Sequence, residues 1–157
     1  MNKKSIEYIA QKSKELLNGQ IESFRSLHQK SGTVIAIASI FAPIFLFLLD
    51  KSQDWLKIVA VIFILLLIIG VVILLINLRT KKLYQGFDES LFQDLLNEDI
   101  VDVYLYEISY NEKSIEKNDI ILNKQNKMYN MGIGLIVFSI IWSLAVLIAD
   151  TILKVVN

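Results

Sequence analysis

The sequence predicts an all-α integral membrane protein, with three transmembrane helices and cytosolic amphipathic helices forming a helical stalk. Three observations predict it. Hydrophobic residues make up 54% of the 157-residue chain and charged residues only 20%, against roughly 45–50% and about 25% in soluble domains. The stretches Ser31–Leu49, Ile58–Leu78 and Met128–Ala149 carry no charge. At about 1.5 Å per residue they reach about 28, 31 and 33 Å, comparable with the hydrocarbon core of a bilayer. The segments between them repeat apolar residues at helical spacing.

Residues 1–30 read as a cytosolic amphipathic helix. At about 100° per residue, Ile6, Ile9, Ala10, Leu16, Leu17, Ile21, Phe24 and Leu27 fall within an arc of about 140°, with Lys4, Glu7, Lys12, Lys14, Glu15, Glu22, Arg25 and Lys30 on the other side. Gly19 weakens the middle by about 1 kcal/mol relative to Ala. Because this polar helix precedes the first apolar run, a retained span is expected rather than a cleavable signal peptide.

Transmembrane helix 1 covers residues 31–49 and is diluted by Pro43 and several small residues. An outer loop, 50–57, carries Trp55, suited to an interfacial anchor. Transmembrane helix 2, residues 58–78, is almost pure Ile, Leu, Val and Phe, with Ala60, Gly70 and Asn77 as the exceptions. Its summed transfer energy far outweighs one Asn.

Residues 79–127 form a cytosolic linker and helical segment. Residues 83–89 read as linker, with Gly86 as punctuation and Asp88 or Ser90 as N-cap. A short apolar cluster follows (Leu91, Phe92, Leu95, Leu96). Helix is then expected over 100–127, where Val101, Ile108, Ile115, Leu122 and Tyr129 recur in a heptad column. The neighbouring column, Tyr104, Asn111, Asn118 and Gln125, is polar, and Asn111 and Asn118 are expected to set the register of the stalk. No Pro follows Pro43, so nothing forces a break before transmembrane helix 3 at 128–149, although Gly132 and Gly134 permit a bend. Trp142 sits mid-span and is expected to pack between helices. Residues 150–157 form an outer tail.

The composition excludes much chemistry. There is no Cys, hence no disulfide, thiolate zinc site, catalytic thiol or palmitoylation, and the single His28 cannot build a histidine metal cluster. No phosphate-binding Gly-rich loop, Ser–His pairing or HExxH helix occurs. No enzyme activity, metal or cofactor is expected. Glu98 and Asp102 share a helix face at i, i+4 spacing but read as a solvated acidic surface. Sixteen basic residues balance sixteen acidic ones, so no net charge recruits nucleic acid. Within the apolar runs no ionisable residue appears, which argues against pumps and ion-coupled transporters.

The polar residues inside the apolar runs include Ser39, Asn77, Ser139 and Ser143. Two roles suit the serines. They line a pore if copies gather around one, or, as Ala38 with Ala42 and Ser139 with Ser143 at small-xxx-small spacing, they let helix backbones approach.

Gln29, Lys30, Ser31 and Gly32 run into Ala36, Ala38 and Pro43; a short hairpin follows, and Asn118, Asn126 and Lys127 precede the last span. In this layout, over most of the chain, the protein resembles the small multi-span effector modules of bacterial anti-phage systems, the Pycsar-type transmembrane effectors and the two-span SLATT modules. Three thin spans without intramembrane charge leave a single copy nothing with which to conduct, so a homo-oligomer in contact with membrane lipid is expected, packed through Ala38, Ala42, Ser139 and Ser143. The resemblance implies an effector that permeabilises or depolarises the bacterial inner membrane when triggered. It carries over no catalytic or binding residue. Because no nucleotide-sensing domain is recognisable, the trigger falls to a soluble partner or sensor. The alternative is a non-conducting anchor or scaffold subunit for soluble partners.

Basic flanks alternate along the chain: Arg25 and Lys30 before the first span, Arg79, Lys81 and Lys82 after the second, Lys124 and Lys127 before the third, against a sparse outer loop and tail. The positive-inside rule then places the N-terminus in the cytosol and the C-terminus outside. Topology reporters fused at residues 1, 54 and 157 should be cytosolic, external and external; a cytosolic reading at residue 157 breaks the three-span arrangement.

Overall fold

The computed structural model describes residues 2–51, 54–79, 81–86 and 92–156. Among these, every regular element is helical: α1 (Lys3–Ile40), α2 (Ala42–Lys51), α3 (Asp54–Leu78), α4 (Phe92–Leu95) and α5 (Ile100–Val156). The N-cap candidates Asp88 and Ser90, and Leu91 of the apolar cluster, lie outside the described residues. Three helical runs, Lys3–Phe47, Asp54–Leu78 and Ile100–Val155, are long and apolar enough to include a membrane crossing.

Local chemistry sets the helix ends. Asn2 caps α1, its Oδ1 accepting from the Lys4 amide at 3.2 Å, and Asp99 stands at the cap position of α5, its Oδ1 3.5 Å from the Val101 amide. The first apolar run, read from sequence as one helix, is interrupted. Pro43 has no N–H to offer the Ser39 carbonyl, so α1 closes with a tight bond from the Phe41 amide to the Ala38 carbonyl (3.1 Å). The Phe41 carbonyl then accepts from Ile44 (3.0 Å) and starts α2, where an early Pro is tolerated. Conversely, α5 is not interrupted at Gly132 or Gly134 and continues beyond Ala149 to Val156.

The chain divides into two units, one of Met1–Ser26 with Thr80–Gln125, the other of Leu27–Arg79 with Asn126–Asn157. In the first, α1 buries Ile6, Ala10, Ser13 and Leu17, a four–three–four spacing typical of a helix seam. This stripe is narrower than the arc read from sequence: Ile9 is 42% and Leu16 62% exposed, while polar Ser13 is inside. On α5 the most buried positions in this unit include Asn111, Ser114, Asn118, Leu122 and Gln125. Asn111, Asn118 and Gln125 of the polar column therefore occupy the centre, while in the apolar column beside it Leu122 is buried and Val101, Ile108 and Ile115 are half-buried.

In the second unit α3 and α5 run antiparallel. Leu56, Phe63 and Gly70 descend α3 at heptad intervals as Val146, Ser139 and Gly132 ascend α5. Leu56 and Val146 share an apolar cluster with Ala60. The Ser139 hydroxyl donates to the Phe63 carbonyl at 2.6 Å. Gly70 and Gly132 meet backbone to backbone: a Cβ on Gly70 would lie 2.9 Å from the Gly132 oxygen and 2.8 Å from Ile136 Cγ1. A second cluster joins Ala38 of α1, Leu74 and Ile136. Large apolar side chains also cover the outer surface of this unit. Ile58 is 66% exposed, Leu65 54% and Ile76 53%, whereas Ser31, Asn77, Ser139 and Ser143 are buried. Trp142, expected between helices, is half exposed and stacks on Phe63, ring centres 6.3 Å apart.

The glycines give a direct test. Gly70→Ala pushes backbone against backbone and should lower the unfolding free energy by about 1–3 kcal/mol. Gly19→Ala enters open space within α1 and should raise it by about 0.5–1 kcal/mol. Denaturant titration in one detergent, followed by circular dichroism, should show the two variants shifting in opposite directions.

Candidate functional site

The first unit is organised by two amides on one face of α5. Asn118 grips the non-helical strap 81–86 at both ends of one peptide residue: its Oδ1 accepts from the Tyr84 amide at 2.9 Å and its Nδ2 donates to the Tyr84 carbonyl at 2.9 Å. The neighbouring Lys117 ammonium lies over the Tyr84 ring, 4.7 Å from its centre, a cation–π contact. Asn111 donates to Ser13 Oγ on α1 at 2.9 Å, and Ser13 in turn donates to the Ala10 carbonyl at 2.7 Å. Gly86 adopts φ +83°, and a Cβ there would collide with Asn111 Oδ1 and Leu17 Cδ2, so the strap needs glycine here twice over. Gln20 completes the pairing of α1 with α5 by donating to the Ile115 carbonyl (3.1 Å) and Asp119 Oδ1 (2.6 Å).

In the apolar unit, Ser143 donates to the Ser139 carbonyl at 2.7 Å, one turn from the bond of Ser139 to α3, and both side chains are buried. Asn77 is also fully buried. Ser39 differs: it is exposed and donates to the Ile35 carbonyl of its own helix at 2.8 Å. It borders an apolar groove of about 250 Å³ lined by Ala38, Ala42, Leu67 and Val71 among others. The structure therefore joins Ser139 with Ser143 inside the unit and leaves Ser39 on a small-residue surface.

Charged side chains are mostly peripheral. Glu98 and Asp102 are exposed, and no group of three or more potential metal ligands occurs among the described residues. The hydrogen bond between Lys12 and Glu15 (2.6 Å) holds the amine above, and the carboxyl below, its ordinary pKa. Both groups are exposed, so the pair contributes little to stability. Asp150, assigned from sequence to the outer tail, is 4% exposed and pairs with Lys154 at 2.6 Å.

Sequence reasoning missed Ser13, Gln20, Gly70 and Gly132. A signal for the inner face of α3 was present, since the three residues of its charge-free run 58–78 that are not large and apolar, Ala60, Gly70 and Asn77, are all buried.

Replacing Asn118 by Leu removes both strap bonds and leaves the Tyr84 peptide groups without them, a loss of about 1–3 kcal/mol. Hydrogen exchange of the Tyr84 amide should accelerate by about 10- to 100-fold, while amides in the interior of α3 keep their protection. Comparison with known proteins gives no relative on which to place these residues: no family model, no curated protein and no solved structure matches the chain.

Proposed function

We propose that this protein is a self-associating membrane effector that permeabilises or depolarises the bilayer when triggered, in the manner its layout resemblance implies, and that its setting is the inner membrane of a bacterium defending against phage. The observation that carries the self-association is the groove at Ala38, Ser39 and Ala42. Small side chains there let a helix of a second copy approach closely, and Ser39 is an exposed polar side chain beside it. The outward Ile, Leu and Val side chains of α3 support insertion, because an exposed apolar surface of this extent suits lipid rather than water. The N-terminus is cytosolic and the C-terminus external by the alternation of basic flanks, and a soluble partner or sensor supplies the trigger.

A second reading has its own support. Ser139 and Ser143 are engaged within one copy, which suits a non-conducting anchor for soluble partners. The two readings differ in one measurement. In cells carrying the neighbouring genes and challenged with phage, the induced protein should collapse the membrane potential reported by a voltage-sensitive dye. Ser39→Leu, which fills the groove and adds apolar surface, should abolish the collapse while the protein still fractionates with membranes. Ser139→Leu should instead lower the stability of the isolated protein, because it forces a larger side chain between α3 and α5. If the wild-type protein never dissipates the potential, the anchor reading replaces the effector.

A further inference from the structure

A second cavity, of about 490 Å³, lies in the unit that holds the strap and is lined by Ile21, Phe24, Arg25, Lys81, Lys82, Leu83 and Gln85. Its three charged residues are all cations, in a chain whose basic and acidic residues balance at sixteen each. No carboxylate shares the lining, and none of the three cations forms an ion pair with a described residue. Ile21, Phe24 and Leu83 are half-buried and give the cavity an apolar wall.

The lysines sit on a prepared segment. Lys81 and Lys82 belong to the strap whose backbone Asn118 fixes at Tyr84, and whose far end is packed at Gly86 against Asn111 and Leu17. Along the chain they follow Arg79 and Thr80 just after the apolar run that ends at Leu78, while Arg25 shortly precedes the charge-free run that starts at Ser31. If those runs cross the bilayer, as proposed above, the three cations come from the ends of two spans, at the level of lipid headgroups.

We propose that this cavity binds the phosphate of an anionic phospholipid headgroup: Arg25, Lys81 and Lys82 surround the phosphate, and Ile21, Phe24 and Leu83 receive the glycerol and the first acyl carbons. Arg25 offers a planar fork of donors for two phosphate oxygens, while the two lysines act as point charges. The strap, held before any lipid arrives, removes part of the ordering cost of the site. The buried Asn118 thereby acquires a role as a positioning residue for the two lysines.

This inference rests on the membrane reading, and its test separates the two. Resistance to alkaline carbonate extraction reads insertion alone. Lipid binding is read on the full-length protein in nanodiscs, by native mass spectrometry of phosphatidylglycerol retained from a mixture with phosphatidylcholine. Phosphatidylglycerol should be enriched around the wild-type protein, and R25Q, K81Q and K82Q should each lower its retention roughly fivefold, the effect of one surface cation on an anionic lipid. K3Q with K4Q removes two charges elsewhere and should leave retention unchanged. N118L should lower it with all three cations present. Equal loss in the K3Q/K4Q variant means diffuse surface charge and overturns the site. Displacement of the lipid by millimolar inorganic phosphate or glycerol phosphate identifies a soluble phosphate compound as occupant and overturns the lipid assignment.

Discussion

The apolar unit depends on the contact between Gly70 and Gly132, where two helix backbones meet with no side chain between them. If these helices cross a bilayer, as proposed, burying more Leu or Ile adds little driving force there, and close packing with backbone-directed hydrogen bonds holds the helices together. The glycine crossing provides both. It lets α3 and α5 run close enough for Ser139, one heptad along, to reach the Phe63 carbonyl at 2.6 Å. A further heptad on, Leu56 and Val146 close the same seam. A side chain at either glycine would separate the backbones and weaken that bond with the same displacement.

The strap unit solves a different problem. A helix pair with Asn111, Ser114, Asn118 and Gln125 at its most buried positions gives up apolar burial and gains definition, since an amide in a seam is satisfied in few registers. Asn111 finds Ser13, and Asn118 uses donor and acceptor together on one peptide of the strap. These amides therefore fix the pairing of α1 with α5 and the course of the connecting segment at once. An apolar seam of equal volume would hold the helices and leave residues 81–86 without an anchor.

Much of this was legible in the sequence, and the failures have physical causes. Helix 100–127 and its heptad columns stand out because charged and apolar residues alternate at a readable period. Hydrophobicity gives too wide an arc on α1, since it does not distinguish Ile9 and Leu16, which are exposed, from Ile6 and Leu17, which are not. Ser13 was invisible for the converse reason, a small polar residue made internal by a partner about a hundred residues away. By composition Pro43 only dilutes the apolar run, whereas its missing N–H is what separates α1 from α2. In α3 an almost uniformly apolar run has no hydrophobic period to read; its inner face is marked by the small and polar exceptions instead.

The same inversion bears on mechanism. A path for ions needs polar groups that are not already committed, and the hydroxyls of Ser139 and Ser143 are spent on carbonyls inside one copy. Ser39 is also bonded to its own helix, yet it is exposed, next to a groove shaped by Ala38 and Ala42. A serine hydroxyl that donates backward along its helix still has lone pairs to offer outward. A conducting assembly of this chain would therefore be built around the α1–α2 junction, where Pro43 also leaves the Ser39 carbonyl without its usual helical donor. An anchor has no need of such a junction, and for it Pro43 would be only a kink.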